Sequence, residues 1–347
     1  MMQSGYSEKK RVIAHRLIKH FSNENCSVGD FLGIQSQFLR YSKMVALTRN
    51  IDIEQNPENY FRAWSLRGTM HIHQMDDYGL FVHKNMLSTY INEYWNNAPI
   101  EYKRKKRFVD LFLTLIDNGI TEKKKIISCM YAEGMSPQEK EYLFNAWGGM
   151  PRYLVEKGEI VLTVNNNISY LRAPCSEREK KDEAIQKQVI RYVNQYSPCT
   201  IQDIMYFFKF SKRRVLEILD SIVGNGEFQV DDEKITMFQS NIDDKQLETV
   251  LDKTYILSAF DPLLIGYEKR SNGMIPQEYL RRIFTLQGII NPTILYRGKI
   301  IATWNTKNQQ VVVNLFEKEN NKHREAIESI ENRVLAITSC TSMQIEK

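Results

Sequence analysis

Proline and glycine are sparse in this sequence, at 9 and 16 residues, and that scarcity excludes collagen-like repeats and long flexible linkers. No uninterrupted apolar run reaches the ~18 residues of a bilayer-spanning helix, so no membrane segment is expected. The N-terminus, MMQSGYSEKKRVIAHRLIKHF, turns amphipathic at once and lacks the apolar stretch and small-residue cleavage site of a secretory signal. Cys26, Cys129, Cys175, Cys199 and Cys340 are odd in number, far apart and never spaced Cys-x-x-Cys, as expected of reduced thiols in a cytoplasmic protein. Metal-ligand patterns are missing as well. His71 and His73 are the close histidine pair, but no cysteine and no His-Glu-x-x-His spacing lies beside them, so neither a metal site nor a cofactor is expected. Charge is nearly balanced: 47 Lys and Arg against 42 Asp and Glu give +5, which suits a polyanion while leaving the decision to where the charges lie.

What is present is length and pattern. A chain of 347 residues exceeds one small core and predicts two or three domains, and 42% hydrophobic with 26% charged residues is a globular composition. Apolar Val12, Ile13, Leu17, Ile18 and Phe21 give residues 8 to 22 one helical face. Ser27 caps a short helical stretch, Gly33 breaks it, and Ser36 to Thr48 is helical again, with Phe38 and Leu39 in its apolar set. The period then becomes two in Trp64 to Leu66 and Met70 to His73, a hairpin around Arg67-Gly68-Thr69. A second copy predicts helices over 76–94, 103–117, 121–132 and 136–157, then strands Glu159 to Val164 and Ile168 to Arg172 around Asn165-Asn166-Asn167. The third copy has helices over 180–196, 200–208 and 211–223, a stop at Gly224-Asn225-Gly226, and a hairpin around Asp231-Asp232-Glu233. Two helices, a turn, a third helix and a two-stranded wing form a winged helix-turn-helix, whose third helix usually enters the major groove. Beyond residue 250 the pattern is mostly strands, Arg297-Gly298 making a tight turn; a helix over 320–336 follows, and the last ten residues should fray. The fold class expected is α+β, three tandem winged helices (1–75, 76–175, 176–242) and a β-rich C-terminal lobe (243–347).

Three constellations stand out. In an extended turn, side chains at i and i+2 share a side, so Gln35 and Gln37 beyond Gly33 can converge on one point; the plainer alternative is two amides capping a helix. At the first wing, Arg67 can reach phosphates or the minor groove, with His71 and His73 on one strand face; the alternative is a solvated turn with two surface histidines. Lys212, Arg213 and Arg214 begin a helix whose N-terminal dipole opposes cations, an arrangement that phosphates nearby would relieve. The basic runs 103–107 and 123–125 also start helices and read equally well as solubilising.

Four stretches in order, Gly33-Ile34-Gln35-Ser36-Gln37, Arg67-Gly68-Thr69-Met70-His71, Ala259 to Leu264 with Gly266, Tyr267 and Arg270, and GIINPTILYRGKIIATW from Gly288 to Trp304, resemble the AlkZ/YcaQ family of winged-helix DNA glycosylases. The resemblance implies three winged helices and a β-rich lobe around a DNA-sized channel. It also implies removal of N7-alkylguanines and unhooking of interstrand crosslinks through a Gln-hydrophobic-Gln or Gln-hydrophobic-Asp motif, which falls on Gln35 and Gln37, with Arg270 among the DNA contacts. Ser36 departs from the hydrophobic middle position. The expected partner is duplex DNA, alkylated or crosslinked, bound by a monomer in the cytoplasm at the nucleoid. A non-enzymatic winged-helix regulator, or a protein-interaction scaffold, remains the alternative at this level.

Overall fold

The computed structural model describes residues 7–22, 26–222, 228–231, 234–237 and 243–346. The stop Gly224-Asn225-Gly226 and the hairpin residues Asp232 and Glu233 lie outside the described residues. The architecture is mixed α and β, in two compact units: one joins 1–52 to 189–347, and the other, inserted unit is 53–188. These units cut the chain at other places than the four-module division does.

The split unit opens with α1 (Glu8–Phe21), whose apolar face buries Ile13, Ala14 and Leu17 but also Arg16 and His20. Two-residue β1 (Ile34–Gln35) and α2 (Leu39–Leu47) follow.

In the inserted unit, β2 (Tyr60–Trp64) and β3 (Met70–Gln74) form the first hairpin, in a register that sets Phe61 opposite His73 and Ala63 opposite His71. Helices α3 (Tyr78–Phe81), α4 (Thr89–Asn96), α5 (Tyr102–Asp117), α6 (Lys123–Ala132), α7 (Pro137–Leu143) and α8 (Gly149–Lys157) lead to β4 (Ile160–Leu162) and β5 (Tyr170–Arg172). The strands of this unit run β3–β2–β4–β5, so two hairpins assigned to separate modules share one sheet over a core of Phe61, Phe108, Phe112, Met150 and Tyr170. Two helices expected to be continuous are broken. The 76–94 run stops at Val82, where Arg178 donates to the carbonyls of Val82 (2.9 Å) and His83 (2.8 Å), and restarts behind the N-cap Ser88. The 136–157 run ends at Leu143 and restarts behind Gly148, with Gly149 taking φ 73°.

α9 (Lys181–Tyr196) spans the residue at which the units divide. The split unit continues with β6 (Cys199–Thr200), α10 (Ile201–Phe208), α11 (Lys212–Ile222), β7 (Phe228–Asp231) and β8 (Lys234–Met237), with strand order β6–β8–β7. Thr200 and Asp203 make a reciprocal capping box at α10, and α11 buries Val215, Ile218, Leu219 and Ile222 at helical spacing. Then come α12 (Asp244–Leu251), β9 (Thr254–Leu257), α13 (Pro262–Ile265), α14 (Leu280–Ile283), β10 (Thr293–Tyr296), β11 (Lys299–Lys307), β12 (Gln310–Leu315), α15 (Asn321–Glu328), α16 (Glu331–Thr338) and β13 (Ser342–Glu346). Strands β9 to β12 are antiparallel neighbours, and β13 adds to β12 in parallel. The C-terminus therefore does not fray: Met343 and Ile345 pack on the core of Ile294, Trp304 and Val313 while the backbone of β13 completes the sheet edge. The helix expected over 320–336 is two, divided at Ser329, whose hydroxyl turns back to the Ala326 carbonyl at 2.7 Å.

Candidate active site

Leu32 and Gly33 take left-handed φ of 58° and 92°, and the Gly33 amide returns to the Val28 carbonyl at 3.1 Å, so the chain leaves its first short helix through a tight turn and enters β1 extended. Side chains alternate from there. Ser36 points inward and is fully buried, while Gln35 and Gln37 lie on the other side, where Gln35 Nε2 donates to Gln37 Oε1 at 2.9 Å. Position is then fixed by α2. Ser42 Oγ donates to the Gln35 carbonyl (2.9 Å), and Arg40 donates to Thr306 Oγ1 (3.1 Å) and the Thr338 carbonyl (3.3 Å). Two joined amides on a surface turn have no basicity at neutral pH; what they supply is a fixed set of donors and acceptors that can orient a water molecule.

Ser36 Oγ is buried without a hydrogen-bond partner among the described residues. Such a hydroxyl is destabilising, so Ser36→Ala is expected to raise unfolding stability by about 1 kcal/mol and to leave the turn's activity intact. Denaturant unfolding at constant m checks this; a loss of stability would mean that Oγ has found a partner in solution.

Behind α2 lies a buried ion pair. Arg49 donates bidentately to Asp261, Nη2 to Oδ1 at 2.7 Å and Nη1 to Oδ2 at 3.0 Å, and both side chains are fully buried. Asp261 also accepts from the Leu263 amide (2.9 Å) and so caps α13, while Arg49 lies over the Phe21 and Phe31 rings. Gly266 admits the Tyr196 ring, which a Cβ would meet at 2.1 Å, and Arg16 stacks on Tyr267 at 3.6 Å. The Ala259 to Tyr267 stretch thus acts as scaffold beneath the turn. Sequence reasoning missed Arg49, whose partner lies more than two hundred residues away. It also placed Phe38 on the apolar face of α2, whereas Phe38 is the N-cap residue, 48% exposed and stacked on Phe260.

His20 joins this network, its Nδ1 at 3.4 Å from Arg49 Nη2. Burial first, and the Arg49 charge next, hold its pKa well below the ordinary 6.5. The folded state then refuses a proton that the unfolded chain takes up below 6.5, so the stability contributed is complete above that pH and is lost as pH falls below it. Melting curves from pH 7 to 5 should therefore fall more steeply for the wild type than for His20→Phe; parallel curves would assign acid sensitivity elsewhere.

The first wing differs from a solvated turn. Arg67 sits at its tip with φ 56°, half-buried, but His71 and His73 are buried rather than on the surface. His71 Nδ1 donates to the Thr69 carbonyl (3.0 Å), leaving Nε2 to accept from Arg67 Nη2 (3.3 Å); Ser65 Oγ lies 2.8 Å from His73 Nε2, and His73 stacks on Phe81. Burial, then the Arg67 charge, keeps the His71 pKa well below its ordinary value. β3 is buried on both faces, Ile72 as well as His71 and His73, and of the two rings it is His71 that meets Arg67.

Lys212, Arg213 and Arg214 are on the surface at the start of α11, and Arg213 pairs with Glu217 at 2.9 Å, with Arg214 3.8 Å from the same carboxylate. That i, i+4 partner relieves part of the opposition to the helix dipole from within the chain. Arg270 is exposed, on a turn where the Glu268 carboxylate accepts its backbone amide at 2.8 Å. Three cations of the 103–107 run are held within the structure: Arg104 pairs with Glu139, Arg107 with Glu133 (3.0 Å), and Lys105 Nζ donates to the Trp95 carbonyl (2.7 Å), while Lys103 and Lys106 are exposed.

Comparison with known proteins decides the family. A family model described as "DNA glycosylase AlkZ-like" matches residues 56–333, well over half of the chain. The chain belongs to this family. Membership in the AlkZ-like family makes it a DNA repair glycosylase with DNA as substrate rather than a non-enzymatic regulator. Among individual proteins it is similar to the interstrand DNA cross-link repair glycosylase of Streptomyces sahachiroi, 20% identical over 311 residues that cover 83% of this chain and 84% of the relative. Its fold matches the solved structure of Streptomyces sahachiroi DNA glycosylase AlkZ, with a TM-score of 0.73, 16% identity, and coverage of 98% and 99% of the two chains. The matched region of the AlkZ-like model begins after Gln35 and Gln37, so the role of those two residues rests on their geometry. Among the described residues no helix is long and apolar enough to cross a membrane, and all five cysteines are free.

Proposed function

We propose that the chain is a monofunctional, metal-independent glycosylase that hydrolyses the N-glycosidic bond of N7-alkylated or crosslinked purines, with Gln35 and Gln37 holding the attacking water. The observation that carries this reading is the amide pair itself, joined at 2.9 Å on a surface turn and backed by a buried scaffold. Alkylation at N7 makes guanine a cationic leaving group. The C1′–N9 bond breaks with its electron pair passing to the base, an oxocarbenium-like sugar develops, and the oriented water forms the C1′–O bond and releases a proton to solvent. Placing that water and stabilising charge is a task for fixed dipoles more than for a strong base. The crosslink-repair name of the Streptomyces relative supports the same lesion class. Base release from an N7-methylguanine duplex and from a defined crosslink, read as strand breaks after abasic-site cleavage, tests the proposal; no release from either substrate would refute it.

The protein is proposed to act as a monomer, in the cytoplasm and at the nucleoid, on duplex DNA. The helices α9 to α11 with the β7–β8 hairpin support a winged-helix module, and three such modules with a β-rich C-terminal lobe are proposed; three unequal modules in one chain need no symmetric partner. Arg67, held by His71, the cations Lys212, Arg213 and Arg214, and exposed Arg270 are the proposed DNA contacts, buried His71 and His73 being withdrawn from the interface. Replacing Lys212, Arg213 and Arg214 together by Ala should reduce the slope of log affinity against log salt by about 2, measured on undamaged duplex. An unchanged slope would remove α11 from the interface.

A further inference from the structure

Phe38 follows Gln37 directly and serves as the N-cap of α2, yet it makes no side-chain cap, a position where Ser, Thr, Asp or Asn would satisfy the free helix amides. Nor is it placed for burial, since 48% of its surface stays in solvent. What the ring does is stack. Phe260 lies against it with centroids 5.9 Å apart and planes 20° from parallel, and Tyr41 meets it edge-on at 6.4 Å.

The support is built at some cost. Phe260 takes a left-handed φ of 56°, an unfavourable conformation for a bulky residue that persists only where the surroundings enforce it. The enforcement is visible in the next residue, Asp261, which is held by the fully buried Arg49 and caps α13. A strained backbone and a buried ion pair thus fix one aromatic ring under another whose remaining surface faces solvent, one residue from the amide pair.

We infer that Phe38 is the stacking platform for the alkylated purine, and that it selects the cationic base over unmodified guanine. This rests on the glycosylase reading above. Any nucleobase gains from stacking on an aromatic face, and a cationic one gains further from the ring's negative quadrupole. N7-alkylguanine is planar and positively charged, whereas guanine is planar and neutral, so an exposed ring beside the water-holding amides favours the lesion in the ground state. Phe260 keeps the Phe38 ring from turning away when the base arrives.

The test is the ratio of affinities for two duplexes, one carrying N7-methylguanine made uncleavable by a 2′-fluoro sugar and one carrying guanine at the same position. The wild type should prefer the lesion. Phe38→Ala and Phe38→Leu should each cut that preference by roughly three- to thirtyfold, the undamaged duplex losing less affinity than the lesion duplex; Phe38→Trp should keep or raise the preference. Leu retains apolar contact with Phe260, so its loss of selectivity with an unchanged Tm separates stacking from packing. A wild type with no preference, a Leu variant as selective as the wild type, or equal losses on both duplexes would overturn the inference. Base release from the cleavable N7-methylguanine duplex is scored separately. A wild type that discriminates but releases nothing defeats the glycosylase reading and leaves Phe38 standing, whereas release with selectivity untouched in Phe38→Ala and Phe38→Leu defeats Phe38 alone.

Discussion

Gln35→Ala, Gln37→Ala and the double variant should all release base from an N7-methylguanine duplex at one similar low rate, about 10²–10³-fold below wild type at saturating enzyme. The similarity is the informative part. The two side chains are joined by a 2.9 Å hydrogen bond, so removing either releases the other from its orientation, and the water loses its site in one step. Groups that act as a unit give strongly non-additive losses, whereas two independent contacts would multiply. DNA affinity should change little, because neither amide carries charge. Single-turnover rates with metal chelated throughout check this. A double variant as fast as wild type would move catalysis away from the turn, and multiplicative losses would mean two separate roles.

The second large effect is expected at the buried ion pair. Asp261→Ala strands the Arg49 guanidinium among the Phe21 and Phe31 rings with no solvent to screen it, and Arg49→Ala strands the Asp261 carboxylate in the same place. Each single change should cost about 3–5 kcal/mol of unfolding stability. The double replacement Arg49→Met with Asp261→Leu should cost less than either single change, because the price of a buried pair lies in leaving one partner alone. Urea unfolding at pH 7 measures all three. Single losses below about 1 kcal/mol would show that water reaches the pair.

Much of the architecture could be read from short-range pattern. The apolar spacing of Ile13 and Leu17 and of Val215, Ile218 and Leu219, and the alternating burial of β12, each reflect an element that buries one face, so period alone reveals them. The first strand of the first hairpin, read at Trp64 to Leu66, lies instead at Tyr60–Trp64, where three consecutive residues are buried and no alternation marks it. Helix breaks were less visible. Val82 ends its helix because Arg178, nearly a hundred residues on, captures the carbonyls, and no local signal announces a partner so distant. The C-terminal strand was hidden for a similar reason: Ser342 to Glu346 gains its hydrogen bonds from β12 and not from itself.

The candidate site divides along the same line. Gly33 followed by Gln35 and Gln37 already determined that two amides leave one side of an extended turn, because side-chain direction in such a segment is a local property, and the basic start of α11 and the cation at the first hairpin tip were equally local. Tertiary structure decided what no neighbour in sequence can decide. It buried Ser36, His71 and His73, gave Arg49 its partner Asp261, and held Phe260 in a strained conformation beneath an exposed Phe38. Burial and ion pairing depend on residues brought together by the fold from far apart in the chain, which is why they could not be read from the residues on either side.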